Sequence, residues 1–479
     1  MRTLLSHRSY SWLRVSSAVA TLAVVLLLYI VLDAQARRSW WAVSSSFRAR
    51  PTNPFTAADL DQHLDITEWG EMGRRVKKLS QWAQILIKHP SADHTAFQDT
   101  LVLHFPFLAG TEASIYTPWS SPINRSFPSH TGIITCVGSN NFRMAGHLIA
   151  SLRLVHNSQI PIEIAYAGDE DLDPDSRAFL QSLDPELSFI DLLDLYPAAG
   201  HDLVRSGWAM KPFALLASSH PQAILVDADA VFLTNPESIF EENAGLARTG
   251  TLFFHDRAAR GGDGHRRLWL SKQIRAAGIP PSRHLTRRSL FYSGAAYYEA
   301  DSGVVALDKS RPSVLLGLMF ACWMNTKNVR DEVTYRVFHG DKETFWVAAE
   351  LSSVEYFFQP WYAGTMGTIT TAEGEGQDQP PDLAVDKVEI NGGIYEDKSK
   401  VDKGFAQMTH YWVGEIEAET ANIRLTGLTS TQPQHQWYWR PGSVSCLRET
   451  GVKVIPDDIQ RTIERIEKEA GRVDELAMQ

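Results

Sequence analysis

The chain has 479 residues, of which 44% are hydrophobic and 21% are charged. This is enough apolar material for one large core, and it excludes a peptide or a small module. The formal net charge of -10 argues against general nucleic-acid binding, which needs clustered Lys and Arg. Three scattered cysteines, Cys136, Cys322 and Cys446, exclude a disulfide scaffold and a Cys-ligated zinc site; we interpret them as core thiols, one disulfide being the alternative.

An uncharged apolar run, VSSAVATLAVVLLLYIVL, covers residues 15–32. At ~1.5 Å per residue it nearly crosses a hydrocarbon core of about 30 Å. Signal peptides have shorter hydrophobic cores, of about 7–15 residues, so we expect an uncleaved signal anchor. A cleavable signal peptide ending near Ala36 is the alternative. The expected arrangement is a cytoplasmic tail over 1–14, a transmembrane span over 15–32 and a luminal remainder, which the sequon at Asn124 fits.

A stem and a helical region are predicted next. Residues 33–68 begin with a polar segment that contains Arg, Ser and Pro and has no apolar period, which is typical of a stem. Residues 69–131 predict an N-terminal helical region whose first helix covers about 69–88. Its apolar residues recur at helical spacing and are Val76, Leu79, Trp82, Ala83 and Leu86.

Residues 132–450 begin with short apolar strands that alternate with amphipathic helices. The predicted strands are 133–137, 162–166, 187–190 and 223–226, and the predicted helices are 143–156, 174–182 and 209–218. This βαβα order predicts an α/β domain with a mainly parallel sheet and helices on both faces. In such sheets ligands bind beyond the carboxyl ends of the strands.

Further elements are predicted towards the C-terminus. They are strands at 303–307 and 354–358, a helix at 312–324 and a surface loop at 371–382. Residues 451–479 predict a C-terminal helix, whose narrow apolar stripe we expect to dock on the domain. The stripe consists of Ile459, Ile463, Ile466 and Leu476. The basic stretch 257–288 predicts a solvated loop, the alternative being a flap over an anionic donor.

An acidic pair follows the fourth strand of the series. The segment AILVDADAVF places Asp227 and Asp229 directly after four apolar residues. Alternate residues of an extended chain point to the same side, so we expect the two carboxylates to converge. Like charges held close together are unfavourable unless a cation neutralises them. Mg²⁺ or Mn²⁺ characteristically joins one or two carboxylates to the phosphates of a substrate, so the pair predicts a metal site for a diphosphate.

The run RSGWAMKPFALLASSHPQAILVDADAVFLTNPESIF, residues 205–240, resembles the fungal alpha-1,3-mannosyltransferase family of Golgi enzymes, which is related to glycogenin-like transferases. Supporting stretches are 132–156, DSGVVALDK at 301–309 and GDKETFW at 340–346. The resemblance implies a GT-A fold with a mixed, mainly parallel sheet. It also implies a type II membrane anchor and transfer of mannose from GDP-mannose to a mannoside or glycan, with retention and with Mn²⁺ or Mg²⁺.

Metal ligands and donor contacts are carried over from this resemblance position by position. Asp227 would face the ribose and the metal, Asp229 would ligate the metal, and His410 in HYWVG would supply a third ligand. A strand-end histidine bonded to backbone is the alternative for His410. Lys211 matches a basic residue near the diphosphate, or else lies on a helix surface.

The remaining candidates are nucleotide and catalytic residues. Gly138, Asn140 and Arg143 would border the nucleotide after the first strand, although turn formation also explains the first two. Asp341 or Glu343 would lie beside the acceptor hydroxyl or the transferred sugar, the alternative being helix capping. Asp301 would lie against the donor sugar, its alternative being a turn.

Two other functions are compatible with these residues. One is a UDP-sugar-dependent glucosyl- or galactosyltransferase of the glycogenin-like type, which would share the sheet, the acidic pair and the histidine. The other is a catalytically silent, membrane-tethered glycan-binding protein. We expect a single-pass Golgi membrane enzyme with its catalytic domain in the lumen.

Overall fold

The computed structural model describes residues 53–56, 64–89, 94–111, 115–119, 130–256, 264–369, 388–397, 407–412, 426–428, 437–439, 445–447, 453–454 and 457–478, with side chains except at 361–362 and 364–454. The predicted tail and span, the sequon and the loop at 371–382 lie outside the described residues. Within those ranges, no helix combines the length and the apolar character that crossing a bilayer requires.

The helices of the described ranges are short except for four. They are α1 Trp69–Lys88, α2 Thr95–His104, α3 Phe142–Ala150, α4 Pro174–Leu183, α5 Leu192–Leu195, α6 Gly200–Leu203, α7 Lys211–Ala217, α8 Ser238–Glu242, α9 Ala244–Thr249, α10 Gly264–Ala277, α11 Arg283–Arg287, α12 Leu290–Ser293, α13 Pro312–Met324, α14 Lys327–Val329, α15 Tyr335–Val337, α16 Thr344–Leu351 and α17 Asp457–Ala477.

The strands form two larger sheets and one hairpin-sized sheet. They are β1 Thr131–Cys136, β2 Ile162–Tyr166, β3 Ser188–Asp191, β4 Gln222–Val226, β5 Ala230–Phe232, β6 Thr251–His255, β7 Ala300–Asp308, β8 Phe358–Tyr362, β9 Gly364–Ile369, β10 Val388–Asp397, β11 Gln407–Trp412, β12 Thr426–Leu428, β13 Trp437–Trp439, β14 Ser445–Leu447 and β15 Lys453–Val454.

The main sheet has the order β3-β2-β1-β4-β7-β6-β8. Strands β1 to β4 pair in parallel, as β6 does with β8, whereas β7 runs antiparallel to both of its neighbours. The sheet is therefore mixed and mainly parallel, as predicted. Alternate residues of each strand point into different layers: Ile134 and Leu225 join one hydrophobic cluster, and Ile133 and Ile224 join the other. Helices cover both faces, which gives three layers.

A six-stranded sheet of order β15-β12-β9-β10-β11-β5 adjoins the main one through the chain segment between β4 and β5. Strand β5 pairs antiparallel with β11, and Phe232 lies opposite His410. The acidic pair thus lies where the chain passes from the first sheet to the second.

Helix α1 packs against α10, α13 and α16. Two glycines allow the close approach: a Cβ on Gly70 would lie 2.2 Å from the carbonyl oxygen of Gln273, and one on Gly73 would lie 2.4 Å from that of Leu351. The helix buries all five apolar residues predicted for its inner face. The predicted helix 69–88 is therefore confirmed, together with the reason for its stability.

The C-terminal helix α17 packs on α3, as predicted. Its buried residues are Ile463, Ile466, Ala470 and Val473, whereas Leu476 is exposed. The buried positions 463, 466, 470 and 473 follow a regular helical spacing, so Leu476 falls outside the buried face, and Ile459, the first residue of the predicted stripe, is half-buried.

Candidate active site

The acidic pair occupies the carboxyl end of β4, in a turn rather than an extended strand. The Asp227 N–H donates to the Gly303 carbonyl of the neighbouring strand β7 at 2.8 Å, and the Ala230 N–H donates to the Asp227 carbonyl at 2.9 Å. The predicted extended geometry is therefore wrong at this point. Proximity is preserved nonetheless: burial and then the charge of Asp227 raise the pKa of Asp229 to about 7.

Lys211 is the cationic partner of this turn. Its Nζ lies 2.6 Å from Oδ1 of Asp227 and donates to Oδ2 at 2.8 Å and to Ser302 Oγ at 3.2 Å. The side chain is 9% exposed, which excludes the helix-surface alternative. Burial lowers the pKa of Lys211, but the charges of Asp227 and Asp341 outweigh burial and raise it overall. The group therefore stays an ammonium at every physiological pH.

Strand β7 brings Asp301 to the same place. Its Oδ1 accepts a hydrogen bond from the Gly303 N–H at 2.7 Å, and a Cβ on Gly303 would lie 2.9 Å from that oxygen. Glycine is thus the residue that lets the carboxylate fold back over its own strand. Burial, followed by the charge of Asp256, raises the pKa of Asp301 to about 6.

Asp341 reaches the cluster from the segment before α16. It is 3% exposed, and its Oδ2 makes no hydrogen bond within the described residues. Burial raises its pKa to about 6, with a further increase from Asp227 that Lys211 opposes. The Asp341 carbonyl, not its carboxylate, accepts the Thr344 N–H at 2.8 Å, so its side chain does not cap α16. Ser302 donates a hydrogen bond to the carboxylate, and Oδ2 is left as a buried acceptor without a partner among the described residues.

Glu343 has a different position from Asp341. Its Oε1 accepts the Glu299 N–H at 2.9 Å, and its Oε2 accepts the Ala300 N–H at 3.3 Å and the indole N–H of Trp346. The side chain is fully buried, and its surroundings raise its pKa to about 7, burial being the main cause. Its contacts hold the backbone that leads into β7, so they give Glu343 a supporting role instead of the predicted place beside a substrate.

The predicted nucleotide contacts lie in the β1–α3 turn. Gly138 follows β1, which is a parallel neighbour of β4, so it lies at the same sheet edge as Asp227. A Cβ on Gly138 would lie 2.9 Å from Asp171 Oδ1, and Asn140 is exposed. Arg143 faces elsewhere: its Nη1 lies 3.9 Å from Asp474 of α17. No described contact joins Arg143 to the Lys211 cluster.

His410 lies on β11, next to β5 and therefore close along the sheet to the acidic turn. Its backbone is described and its side chain is not. A third ligand from His410 stays a prediction.

A family model described as "Mannosyltransferase putative" matches residues 130–392. The chain belongs to this mannosyltransferase family. The matched range contains Lys211, Asp227, Asp229 and the two further aspartates of the cluster, whereas His410 lies beyond its end. The residues that the structure gathers around Lys211 are therefore all within the part of the chain that the mannosyltransferase family shares.

Curated relatives bear names of the same activity. Alpha-1,3-mannosyltransferase MNN1 of Saccharomyces cerevisiae is 24% identical over 279 residues, which cover 49% of this chain and 35% of that protein. Probable alpha-1,3-mannosyltransferase MNT4 of the same yeast is 27% identical over 286 residues, which cover 53% of this chain and 47% of that protein. The chain thus matches about a third to a half of the length of these relatives.

Solved glycosyltransferase structures are similar at a low level. Core-mannan synthase A of Aspergillus fumigatus in its Mn/GDP form gives a TM-score of 0.32 at 11% identity, over 51% of this chain and 77% of that chain. Mouse xyloside xylosyltransferase 1 gives a TM-score of 0.32 at 12% identity, over 48% of this chain and 84% of that chain. At such scores the similarity carries no detail of the site in this mannosyltransferase family member.

A cluster that the sequence analysis did not single out lies behind the start of β7. His255 Nδ1 and His284 Nε2 each lie 3.1 Å from Oε1 of Glu299, close enough for the three side chains to share a metal ion. Oε2 of Glu299 accepts hydrogen bonds from Ser289 Oγ and the Phe291 N–H. These contacts already satisfy the carboxylate and tie β6, α11 and α12 to β7. Because its members come from separate elements, no local spacing marks the cluster.

Proposed function

We propose that this chain is a metal-dependent glycosyltransferase of GT-A type that moves mannose from GDP-mannose to a glycan acceptor, forming an α-1,3 linkage with retention. Family membership and the names of the relatives support the reaction class. The observation that carries the proposal is the ion pair of Lys211 with Asp227 at the carboxyl end of β4, surrounded by three more carboxylates.

The charge of this cluster favours a divalent ion. One ammonium, Lys211, stands among four carboxylates: Asp227, Asp229, Asp301 and Asp341. Burial, and then neighbouring like charges, raises the pKa of three of the four to near 6 or 7, so their ionised forms are disfavoured unless a further cation is bound. Carboxylate oxygens are the ligands that Mn²⁺ and Mg²⁺ prefer, so the residues present fit such an ion.

Asp227 and Asp229 would hold the ion, with His410 as the candidate third ligand. When bound, the ion would neutralise charge that grows on the diphosphate as the sugar leaves. Lys211 is fixed at the same spot, where a permanently charged ammonium would attract a phosphate oxygen. The free oxygen of Asp341 would accept a hydrogen bond from a sugar hydroxyl, because it is buried with no other partner among the described residues.

The proposed function includes a cellular location. We propose a single-pass Golgi membrane protein anchored through residues 15–32, with the domain that contains the cluster in the lumen. The length and apolar character of that run support the proposal.

The test measures donor hydrolysis and ligand-induced stabilisation of the full-length chain in detergent. GDP-mannose with MnCl₂ should raise the thermal midpoint and be hydrolysed slowly, and EDTA should abolish both effects. Asp229→Asn should lose about 100-fold or more in turnover. Asp175→Asn, at an exposed aspartate in the first turn of α4, is the matched control and should behave like the parent.

Two outcomes would contradict the proposal in different ways. Stabilisation by UDP-glucose but not by GDP-mannose would favour a UDP-sugar enzyme. A protein that ignores Mn²⁺ and both nucleotides, and whose behaviour Asp229→Asn does not alter, would be a silent glycan-binding relative.

A further inference from the structure

Exposed aromatic side chains gather around one site in the part of the chain whose side chains the structure describes. Among the described residues that carry side chains, the most exposed Trp, Tyr and Phe residues are Trp208 at 56%, Tyr335 at 38% and Tyr297 at 37%. They come from three separate parts of the chain. An exposed indole is unusual because it leaves a large apolar surface in water.

All three lie around the segment that carries Asp341. The Trp208 ring is 5.7 Å from the His339 ring. Gly340 adopts a φ of +76°, and a Cβ on it would lie 3.1 Å from the Trp208 indole. The His339 ring also lies 5.8 Å from the Tyr298 ring, and the Tyr298 ring lies 6.2 Å from the Tyr297 ring. These rings form a continuous row, which we name the aromatic rim.

Tyr335 begins α15 and lies four residues before His339 in the chain. Burial and then the charge of Asp341 raise the pKa of Tyr335 to about 12, although the charge of Lys211 lowers it. The exposed rings and the charged groups are therefore joined through one short segment. His339 and Gly340 contact the rings, and the adjacent Asp341 has an oxygen without a partner among the described residues and lies near the ammonium of Lys211.

This combination fits a sugar ring better than other occupants. One face of a pyranose presents C–H bonds, which match the electron-rich face of an indole, while its edge presents hydroxyls that need hydrogen-bond acceptors. A stable protein interface needs about 800 Å² on each partner. Three partly exposed rings beside a buried carboxylate are too small for that and suit a ligand of one or two sugar units.

We propose that the aromatic rim, with Tyr335, is the acceptor-binding subsite, where a hexopyranoside stacks on Trp208 and directs a hydroxyl towards Asp341. The inference rests on the proposed function and deepens it, because it names the surface on which the acceptor meets the donor end of the site. It also explains why Gly340 precedes Asp341: any side chain at this position would press against the indole and strain a backbone with positive φ.

The test uses the full-length protein with GDP-mannose and MnCl₂, and methyl α-mannopyranoside and linear mannotriose as acceptors. Trp208→Ala should raise the acceptor KM about 10-fold, with a smaller change in kcat, because the lost contact binds the acceptor and not the donor. Trp208→Phe should recover most of the affinity. Leu268→Ala, at an exposed residue on α10, is the control and should leave the acceptor KM unchanged.

A binding measurement separates this inference from the proposed function. Saturation-transfer NMR with mannotriose, in the presence of GDP and Mn²⁺, should show contact in the parent and a loss in Trp208→Ala, whether or not turnover occurs. Absence of donor turnover with Trp208-dependent mannotriose binding would overturn the enzyme and keep the subsite. Equal binding, or equal acceptor KM, in the parent and Trp208→Ala would overturn the subsite and leave the enzyme standing.

Discussion

At the scale of single residues, the two acidic side chains before α16 differ in what surrounds them. Asp341 has a buried oxygen without a partner among the described residues, whereas each oxygen of Glu343 accepts a hydrogen bond. The sequence places both in one segment, GDKETFW, and cannot distinguish them. Which carboxylate faces the ligand depends on the long-range packing of β7 against α16, and no local pattern encodes that packing.

Asp341→Asn tests the residue that faces the site. The amide keeps the shape of the side chain but removes a charge that burial disfavours, so the thermal midpoint should stay the same or rise. Transfer to the acceptor should fall about 100-fold, since the hydrogen-bond acceptor becomes weaker at that spot. Differential scanning fluorimetry and mannose transfer from GDP-mannose measure the two effects. A large loss of stability with normal transfer would contradict this assignment.

Glu343→Ala tests the supporting residue. It would leave three buried N–H groups, those of Glu299, Ala300 and Trp346, without their acceptor. Each such loss costs about 1–3 kcal/mol, so the free energy of unfolding should fall by about 3 kcal/mol or more. Urea denaturation gives that value. Glu355→Ala, at an exposed carboxylate paired with Arg248, is the control and should change stability by less than about 1 kcal/mol.

At the scale of elements, the sequence predicted those helices and strands whose ends are set by residues close to them in the chain. Helix α13 begins at Pro312 and ends at Met324 as predicted, because proline suits a first turn and the run that follows is apolar. The strand predicted at 354–358 is instead β8, at Phe358–Tyr362. There Ser353 takes a φ of +60° after α16, and the chain turns before it can pair with β6. An apolar run alone does not show where such a turn ends.

The helices differ in how closely their backbones approach other elements, and glycine substitutions test this. Gly70→Ala in α1 would bring a Cβ to 2.2 Å from a backbone carbonyl oxygen of α10, so it should destabilise the protein by about 2 kcal/mol or more. Gly471→Ala in α17 meets nothing within 4 Å and should stabilise it by about 0.5–1 kcal/mol. Urea denaturation compares the two. A neutral Gly70→Ala would show that α1 and α10 are not packed as described.

At the scale of the whole molecule, the site collects residues from β4, β7, α7 and the segment before α16. The sequence predicted the sheet edge and its acidic turn, because both lie within one short stretch. It also named Lys211, Asp301 and Asp341, but only through resemblance to a family. Their convergence on one spot follows from the strand order, in which β7 lies next to β4 although 73 residues separate Asp227 from Ala300. The exposure of Trp208 is another property of the assembled fold.

The cluster contains four carboxylates and one ammonium, so its effect on the free energy of unfolding should depend on pH. Asp229 has a pKa of about 7 in the folded protein against an ordinary value of 3.8, so the folded state binds more protons between those values. Without metal, this residue's contribution to stability is therefore lost as pH rises from about 4 to about 7. Asp229→Asn removes that loss. Its stability relative to the parent should be near zero at pH 4 and reach about 4 kcal/mol above pH 7, since a pKa change of one unit corresponds to about 1.4 kcal/mol.

Comparison with the parent at each pH cancels the contribution of histidines such as His255, whose pKa burial lowers, and urea denaturation in EDTA measures the difference. Adding MnCl₂ and GDP at pH 7.5 should reduce this difference. Bound ligand at 100 times its Kd stabilises the parent by about 2.7 kcal/mol, whereas the variant lacks a metal-binding carboxylate. If the two ligands stabilise the parent no more than they stabilise the variant, then Asp229 repels its neighbours without holding an ion, and the cluster is not the metal site of a transferase.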